Sequence, residues 1–347
     1  MFYSHRKKME FNLINKKKLW WRLMNNYLQM ICLRRARLKT LGISLGYDCQ
    51  CSCIHCSAGK LINKARIRLS LGELIRIIDE AIRLGAIHFN ITGGEPLLYA
   101  ECFDLLAYIS EHKKAILSLA TNGILLDLNT ANRLKKIGLD VVQISLDSDD
   151  EEIHDRKRGF NGSYRKALEG IKNAKKSGLI VFISTVFTNE NLLNGEINRL
   201  VSMAEESRVI LHLNSACSVG RWEEKCFYLN NAAKEKLTSL LRMPYVRINT
   251  EAAYFSAGCK AGSEKIYITA YGDVLPCQFV QISFGNIKEN SLEQIWKEMK
   301  KIPYLNGSYK ECLTSQNKEF VSKYLEPLGK TEQMPYPYEL IKHYVKA

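Results

Sequence analysis

From residue 41 onward the chain alternates short apolar runs with helical patterns, and this rhythm narrows the fold more than any other feature. Leu41–Leu45 reads as a strand. Residues 71–84 read as a helix: Ser70 and Glu73 form a capping box, Leu74, Ile77, Ile78 and Ala81 share one face, and Gly85 ends it. Ile87–Ile91 is the next strand. Helical patterns near 100–112, 129–138, 163–177 and 193–206 then alternate with strand-like runs near 115–120, 140–146, 179–186 and 209–214. Six strands alternating with helices predict an α/β fold with a parallel sheet, open or closed into a barrel. Loops that carry ligands then belong at the carboxyl ends of the strands.

Charge divides the 347 residues unevenly. The formal net charge is +14, but residues 1–40 hold eleven Lys/Arg against the single acid Glu10, leaving 39 basic and 35 acidic groups for the rest. The basic character belongs to one arm, and the body offers no electrostatic footprint for nucleic acid. Within the arm, Trp20, Leu23, Met24, Tyr27, Leu28 and Ile31 recur at helical spacing. Such a helix either packs on its own protein or rests on an anionic lipid surface. No secretory signal and no apolar run long enough to span a membrane are visible, so a reducing cytoplasmic setting is expected, with peripheral membrane contact through the arm as the variant. The expected organisation is an arm over 1–39, a core over 40–215, a linker over 216–255 with a helix near 231–242, an extension over 256–312 and a tail over 313–347.

Four of the eleven cysteines crowd into Gly46-Tyr-Asp-Cys49-Gln-Cys51-Ser-Cys53-Ile-His-Cys56, directly after the first strand. This density suits metal binding better than a disulfide framework. Cys49, Cys53 and Cys56, spaced by three residues and then two, can wrap one cubane iron–sulfur cluster and leave its fourth iron open. On the loop alone, other readings stay open: zinc on four cysteines or on three with His55, an electron-transfer cluster with Cys51 as fourth ligand, or unligated thiols.

The second strand runs into Thr92-Gly93-Gly94-Glu95-Pro96, where two glycines admit close backbone approach and Glu95 offers a carboxylate. The cysteine loop and this turn, in this order, resemble the radical S-adenosylmethionine (SAM) superfamily over about residues 41–215. The resemblance implies a partial (β/α)6 TIM-type barrel. It also implies a 4Fe–4S cluster on Cys49, Cys53 and Cys56, with SAM on the open iron. Gly93, Gly94, Glu95 and Pro96 would receive the methionine ammonium, and His55 would lie near the adenine. Thr121-Asn122-Gly123, Ser145-Leu146-Asp147 and His154-Asp155…Arg158-Gly159…Gly162-Ser163-Tyr164 match the same family. They imply SAM contacts from Ser145 and Arg158. Asn122 is either a SAM contact or a turn residue, and Asp147 either a contact or a helix cap. Cys51 is extra to the pattern.

Cys259, Gly272 and Cys277, followed by Gly285-Asn286-Ile287 and Ile295-Trp296, resemble the start of a SPASM or twitch extension. Only Cys312 comes later, so a two-cluster arrangement is excluded by cysteine count. Two alternatives remain: one auxiliary cluster on Cys259, Cys277 and Cys312, completed by Cys217, Cys226 or an open iron, or a degenerate hairpin keeping buried thiols. The resemblance implies reductive cleavage of SAM to a 5′-deoxyadenosyl radical that abstracts hydrogen from substrate, with a flavodoxin or ferredoxin as reductant. The expected substrate is a peptide or protein side chain, as in maturases. A small molecule, cofactor precursor or lipid is the alternative, and a non-catalytic iron–sulfur redox or binding protein is the contrasting class.

Overall fold

The computed structural model describes residues 37–111, 115–223, 227–249, 258–307, 309–328 and 333–342, together with Trp21, Met24, Asn25 and Leu28. Most of the expected amphipathic arm lies outside these residues, including Trp20, Leu23, Tyr27 and Ile31, as does Cys226. No helix among the described residues is long and apolar enough to cross a membrane.

The six expected strands form: β1 (Thr40–Ser44), β2 (His88–Thr92), β3 (Ile116–Thr121), β4 (Val141–Ser145), β5 (Ile180–Phe187) and β6 (Ile210–Ser215). Each pairs in parallel with its sequence neighbour, so the chain winds as a run of β-α-β units. Local chemistry sets the helices. Ser70 caps Leu71–Leu84 through a complete capping box, and Gly85 closes it in the left-handed conformation at φ 106°. Leu74, Ile77, Ile78 and Ala81 are its buried residues, the face that the spacing marks.

Two additions extend the barrel beyond the sequence expectation. The stretch expected as a linker contributes β7 (Val246–Ile248), parallel to β6. The extension contributes β8 (Lys265–Ile268), parallel to β1 with Ile43 opposite Ile268. An antiparallel β9 (Val274–Leu275) follows it. The sheet therefore runs β7-β6-β5-β4-β3-β2-β1-β8-β9. Val246–Ile248 is too short to show a period, and periodicity alone does not say which edge a strand will join. The helical pattern near 193–206 resolves into Asn189–Leu193 and Glu196–Glu206, separated by Gly195 at φ 86°. Glu151–Arg158 forms a separate helix.

Strand alternation separates two faces. Phe89, Ile91, Leu117, Leu119, Val142, Ile144, Val181, Ile183, Leu211 and Leu213 are buried in the main core. The opposite face carries His88, Asn90, Ser118, Gln143, Ser145, Ser184, His212 and Asn214. Its polar groups bond to one another across strands: His88 Nε2 with Ser118 Oγ at 2.8 Å, and Asn214 Nδ2 to Ser184 Oγ at 2.9 Å. The inside of the barrel thus carries a band of polar groups beside apolar side chains such as Phe182, which packs on His212. The tail returns along the extension, where β11 (Tyr336–Pro337) pairs with β10 (Ile282–Ser283) and Tyr338 stacks on Phe284.

Candidate active site

The cysteine loop leaves the carboxyl end of β1 and is fixed mainly through its backbone. Ser52 N–H donates to Arg158 O at 2.9 Å and Ile54 N–H to Lys157 O at 3.0 Å, satisfying carbonyls that the helix Glu151–Arg158 leaves open at its end. Arg221 reaches over from beyond β6, donating from its guanidinium to Cys53 O at 2.9 Å and from its main chain to Cys56 O at 3.1 Å. Before the first cysteine, Tyr99 donates its hydroxyl to Asp48 Oδ2 at 2.9 Å and accepts from Asp48 N–H at 2.8 Å.

The Gly-Gly turn after β2 sits directly on the start of this loop. Gly94 N–H bonds Gly46 O and Glu95 N–H bonds Asp48 O, each at 2.8 Å. A Cβ on Gly94 would stand 2.3 Å from Asp48 O and 2.6 Å from Tyr47 O. Here the glycine admits a second stretch of main chain. Gly94→Ala is expected to lower the unfolding free energy of cluster-free protein by about 1–3 kcal/mol in urea melts. Gly72→Ala, inside a helix and with nothing for its added Cβ to meet, should leave the midpoint in place or raise it.

Glu95 is fully buried and turned inward. Its carboxylate accepts from Leu97 N–H at 3.1 Å, Thr121 Oγ1 at 2.8 Å and Asn122 N–H at 2.8 Å. It ties the end of β2 to the end of β3, and burial raises its pKa to about 7 against those three donors. The sequence expectation aimed this carboxylate at an ammonium. The structure commits it to internal donors. Pro96 starts the single 3-10 turn Pro96–Leu98 that Glu95 caps.

Asp147 is the electrostatic centre of the site. Its Oδ2 lies 2.7 Å from the Arg158 guanidinium and 3.2 Å from His55 Nε2, and the residue is 2% exposed. Burial pushes its pKa up, but Arg158, His55 and His154 outweigh burial and hold it at about 2. Asp147 is not the helix cap, which is Asp150. Arg158, expected on SAM, is committed to Asp147 and approaches Cys53 Sγ at 3.8 Å. His55 packs beside Trp222, with ring centroids 5.5 Å apart. Asn122 makes the local bond of a turn residue, with Oδ1 accepting from Ile124 N–H at 2.9 Å, while Nδ2 donates to Gln50 Oε1 at 3.0 Å and approaches Cys49 Sγ at 3.7 Å. Ser145 lies on the inner face at the end of β4, opposite Ser184. Asp155, also in the matched run, braces the next helix by accepting from Ser163 Oγ and Tyr164 N–H.

The donor set suits an iron–sulfur cluster. All four loop cysteines are free thiols. The Cys51 thiol donates toward Cys49 and Cys53. Against burial, this brings Cys49 down to about 6 and, with Arg158 and His55, Cys53 down to about 5. Cys51 itself is pushed up, and burial raises Cys56. Cys49 and Cys53 are therefore poised as thiolates, Cys53 beside the buried Arg158 guanidinium.

The family model described as the radical SAM superfamily matches residues 43–201, and a SPASM iron–sulfur cluster-binding domain matches residues 259–317. The chain carries a radical SAM domain followed by a SPASM region. This radical SAM enzyme has a 4Fe–4S cluster and SAM as cofactors, and its SPASM region adds auxiliary iron–sulfur binding. It is 26% identical over 279 residues to an AdoMet-dependent heme synthase of Methanosarcina barkeri, covering 72% of this chain and 79% of that protein. It is also 26% identical over 272 residues to a PqqA peptide cyclase of Granulibacter bethesdensis, covering 73% and 72% respectively. Its fold resembles that of Streptococcus suis SuiB bound to precursor peptide SuiA, with a TM-score of 0.63 and 18% identity over 83% of this chain and 70% of that one.

The motif reading missed Gly220, Arg221 and Trp222. Gly220 adopts φ 61°, and a Cβ there would lie 2.2 Å from Cys56 O. A Gly-Arg-Trp run just after the last core strand was the available signal.

Proposed function

We propose that this enzyme cleaves SAM reductively and modifies a peptide or protein side chain. One observation carries the reading. The cysteine loop and the Gly93-Gly94 turn meet backbone to backbone at the carboxyl ends of β1 and β2, above the polar groups of the barrel interior. With a 4Fe–4S cluster and SAM bound, the site would supply one-electron reductive cleavage of the sulfonium and so a radical able to take a hydrogen atom from the substrate.

The chain's own residues bind, orient and shield. Cys49, Cys53 and Cys56 hold the cluster. Arg158, fixed by Asp147, offsets negative charge beside Cys53. The carbonyls of the Gly93-Gly94 turn receive the ammonium, with Glu95 and Pro96 fixing the turn's shape. His55 and Trp222 form an aromatic wall for the adenine, while Asn122 and Ser145 offer polar contacts to the rest of SAM. Ser145, Ser184, His212 and Asn214 present hydrogen-bonding groups to a polar substrate in the barrel. The electron comes from a flavodoxin or ferredoxin. The peptide cyclase among the relatives supports a peptide substrate, and the heme synthase, equally similar, supports a small-molecule precursor as the second reading.

Oxygen-free protein reconstituted with iron and sulfide, then given dithionite and SAM, is expected to form 5′-deoxyadenosine detectable by chromatography. A deuterated peptide encoded beside this gene should pass its label to that product. Tetrahedral zinc in the loop, or reduced protein that leaves SAM intact, would overturn the proposal. Label transfer from a porphyrin precursor instead of the peptide would select the second reading.

A further inference from the structure

The SPASM match contains Cys259, Cys277 and Cys312, one thiol short of a fully ligated cubane. A fourth thiol approaches from the barrel. Cys217 lies two residues beyond the end of β6, outside both family matches. It is 5% exposed and packs with Val219 and Cys312 in a small cluster covered by Phe279. One hydroxyl joins the two sulfurs: Thr314 Oγ1 donates to Cys217 Sγ at 3.2 Å and stands 3.3 Å from Cys312 Sγ. Cys277 is buried and Cys259 half-buried, and both lie within electrostatic reach of Cys312, as Cys277 does of Cys217. Lys265 is the cation facing Cys259 and Cys277. All four thiols are free. Among the described residues, no three such groups enclose a point as ligands of a single ion would. A cubane, with its ligands on separate irons, takes sulfurs from farther apart.

We propose that Cys217 is the fourth ligand of the auxiliary cluster, completing the set of Cys259, Cys277 and Cys312 and linking the barrel to the extension. The inference rests on the iron–sulfur reading of the C-terminal region and is independent of SAM cleavage. A fully ligated cluster has no iron open to substrate, so this cluster carries electrons and does not anchor substrate through iron.

The test uses full-length protein carrying Cys49→Ala, Cys53→Ala and Cys56→Ala, which removes the SAM-binding cluster. After oxygen-free reconstitution, this background should hold about four irons per chain and, once reduced, the electron paramagnetic resonance of one cubane. Adding Cys217→Ala should lower iron to about three or fewer, through conversion to a three-iron cluster or complete loss. Adding Cys226→Ala or Cys102→Ala should change neither iron nor spectrum. Circular dichroism of cluster-free samples checks that each variant folds. If Cys217→Ala does not fold, Cys217→Ser, which keeps the size and the bond to Thr314, should shift the Mössbauer parameters of one iron. Unchanged iron and spectra in Cys217→Ala, unchanged Mössbauer parameters in Cys217→Ser, or loss caused by Cys226→Ala, would overturn the proposal. A background that holds no iron with Cys217 intact would overturn the auxiliary cluster as well. Formation of 5′-deoxyadenosine by the wild-type protein would still stand in that case.

Discussion

Cys53→Ala is expected to reduce 5′-deoxyadenosine formation at least ~10³-fold, to the background of SAM and dithionite alone, while the protein stays folded. The loop's main-chain anchors explain why the two effects separate. Ser52 and Ile54 bond the end of the helix Glu151–Arg158, Arg221 bonds the Cys53 carbonyl, and the Gly-Gly turn bonds Gly46 and Asp48. None of these contacts uses the Cys53 side chain. Removing its sulfur takes away a ligand and the thiolate opposite Arg158, yet leaves the scaffold. Urea melts of cluster-free Cys53→Ala should fall within about 1 kcal/mol of the parent. Product persisting at the parental rate would remove Cys53 from the ligand set.

Asp147→Asn should act in the opposite way, through stability. Arg158 and Asp147 form a nearly buried pair, with side chains 11% and 3% exposed. Neutralising the carboxylate leaves a guanidinium in a dry setting with only the more distant Cys53 thiolate to oppose it, a change that costs about 3 kcal/mol. Loop geometry should suffer too, because Arg158 and Lys157 carry the carbonyls that hold Ser52 and Ile54. The pH dependence follows in sign. The folded carboxyl titrates at about 2, below its ordinary 3.8. Its stabilisation is therefore complete above the ordinary value and is lost only as pH falls from there towards 2. Urea midpoints of the cluster-free parent should show this loss in that acid window, and Asp147→Asn should lack that component. An unchanged midpoint at neutral pH would show that Arg158 finds another partner.

The parts of this molecule that could be read from sequence are those where neighbouring residues decide the outcome. Ser70, Glu73 and Gly85 bound a helix by local hydrogen bonds, and the pattern recovered both ends. The cysteine loop stood out because its four cysteines fall within eight residues. Asp147 was not, because its meaning comes from His55, nearly a hundred residues earlier, and from Arg158 one helix later. Glu95 shows the converse. Its position in the motif was clear, but the direction of its carboxylate depends on Thr121 and the Asn122 amide across the sheet. Arg221 sat in a stretch without periodicity, where only the fold reveals that it returns to Cys53.

The pairing of β8 with β1 has a consequence for how the chain assembles. Ile43 lies opposite Ile268, so the strand that launches the cysteine loop waits for a partner made some 225 positions later. Until the ribosome has released that distant segment, one flank of β1 presents unpaired amides and carbonyls to solvent. Synthesis order thus leaves this flank for last, and a chain ending before Lys265 would expose it permanently, open to self-association.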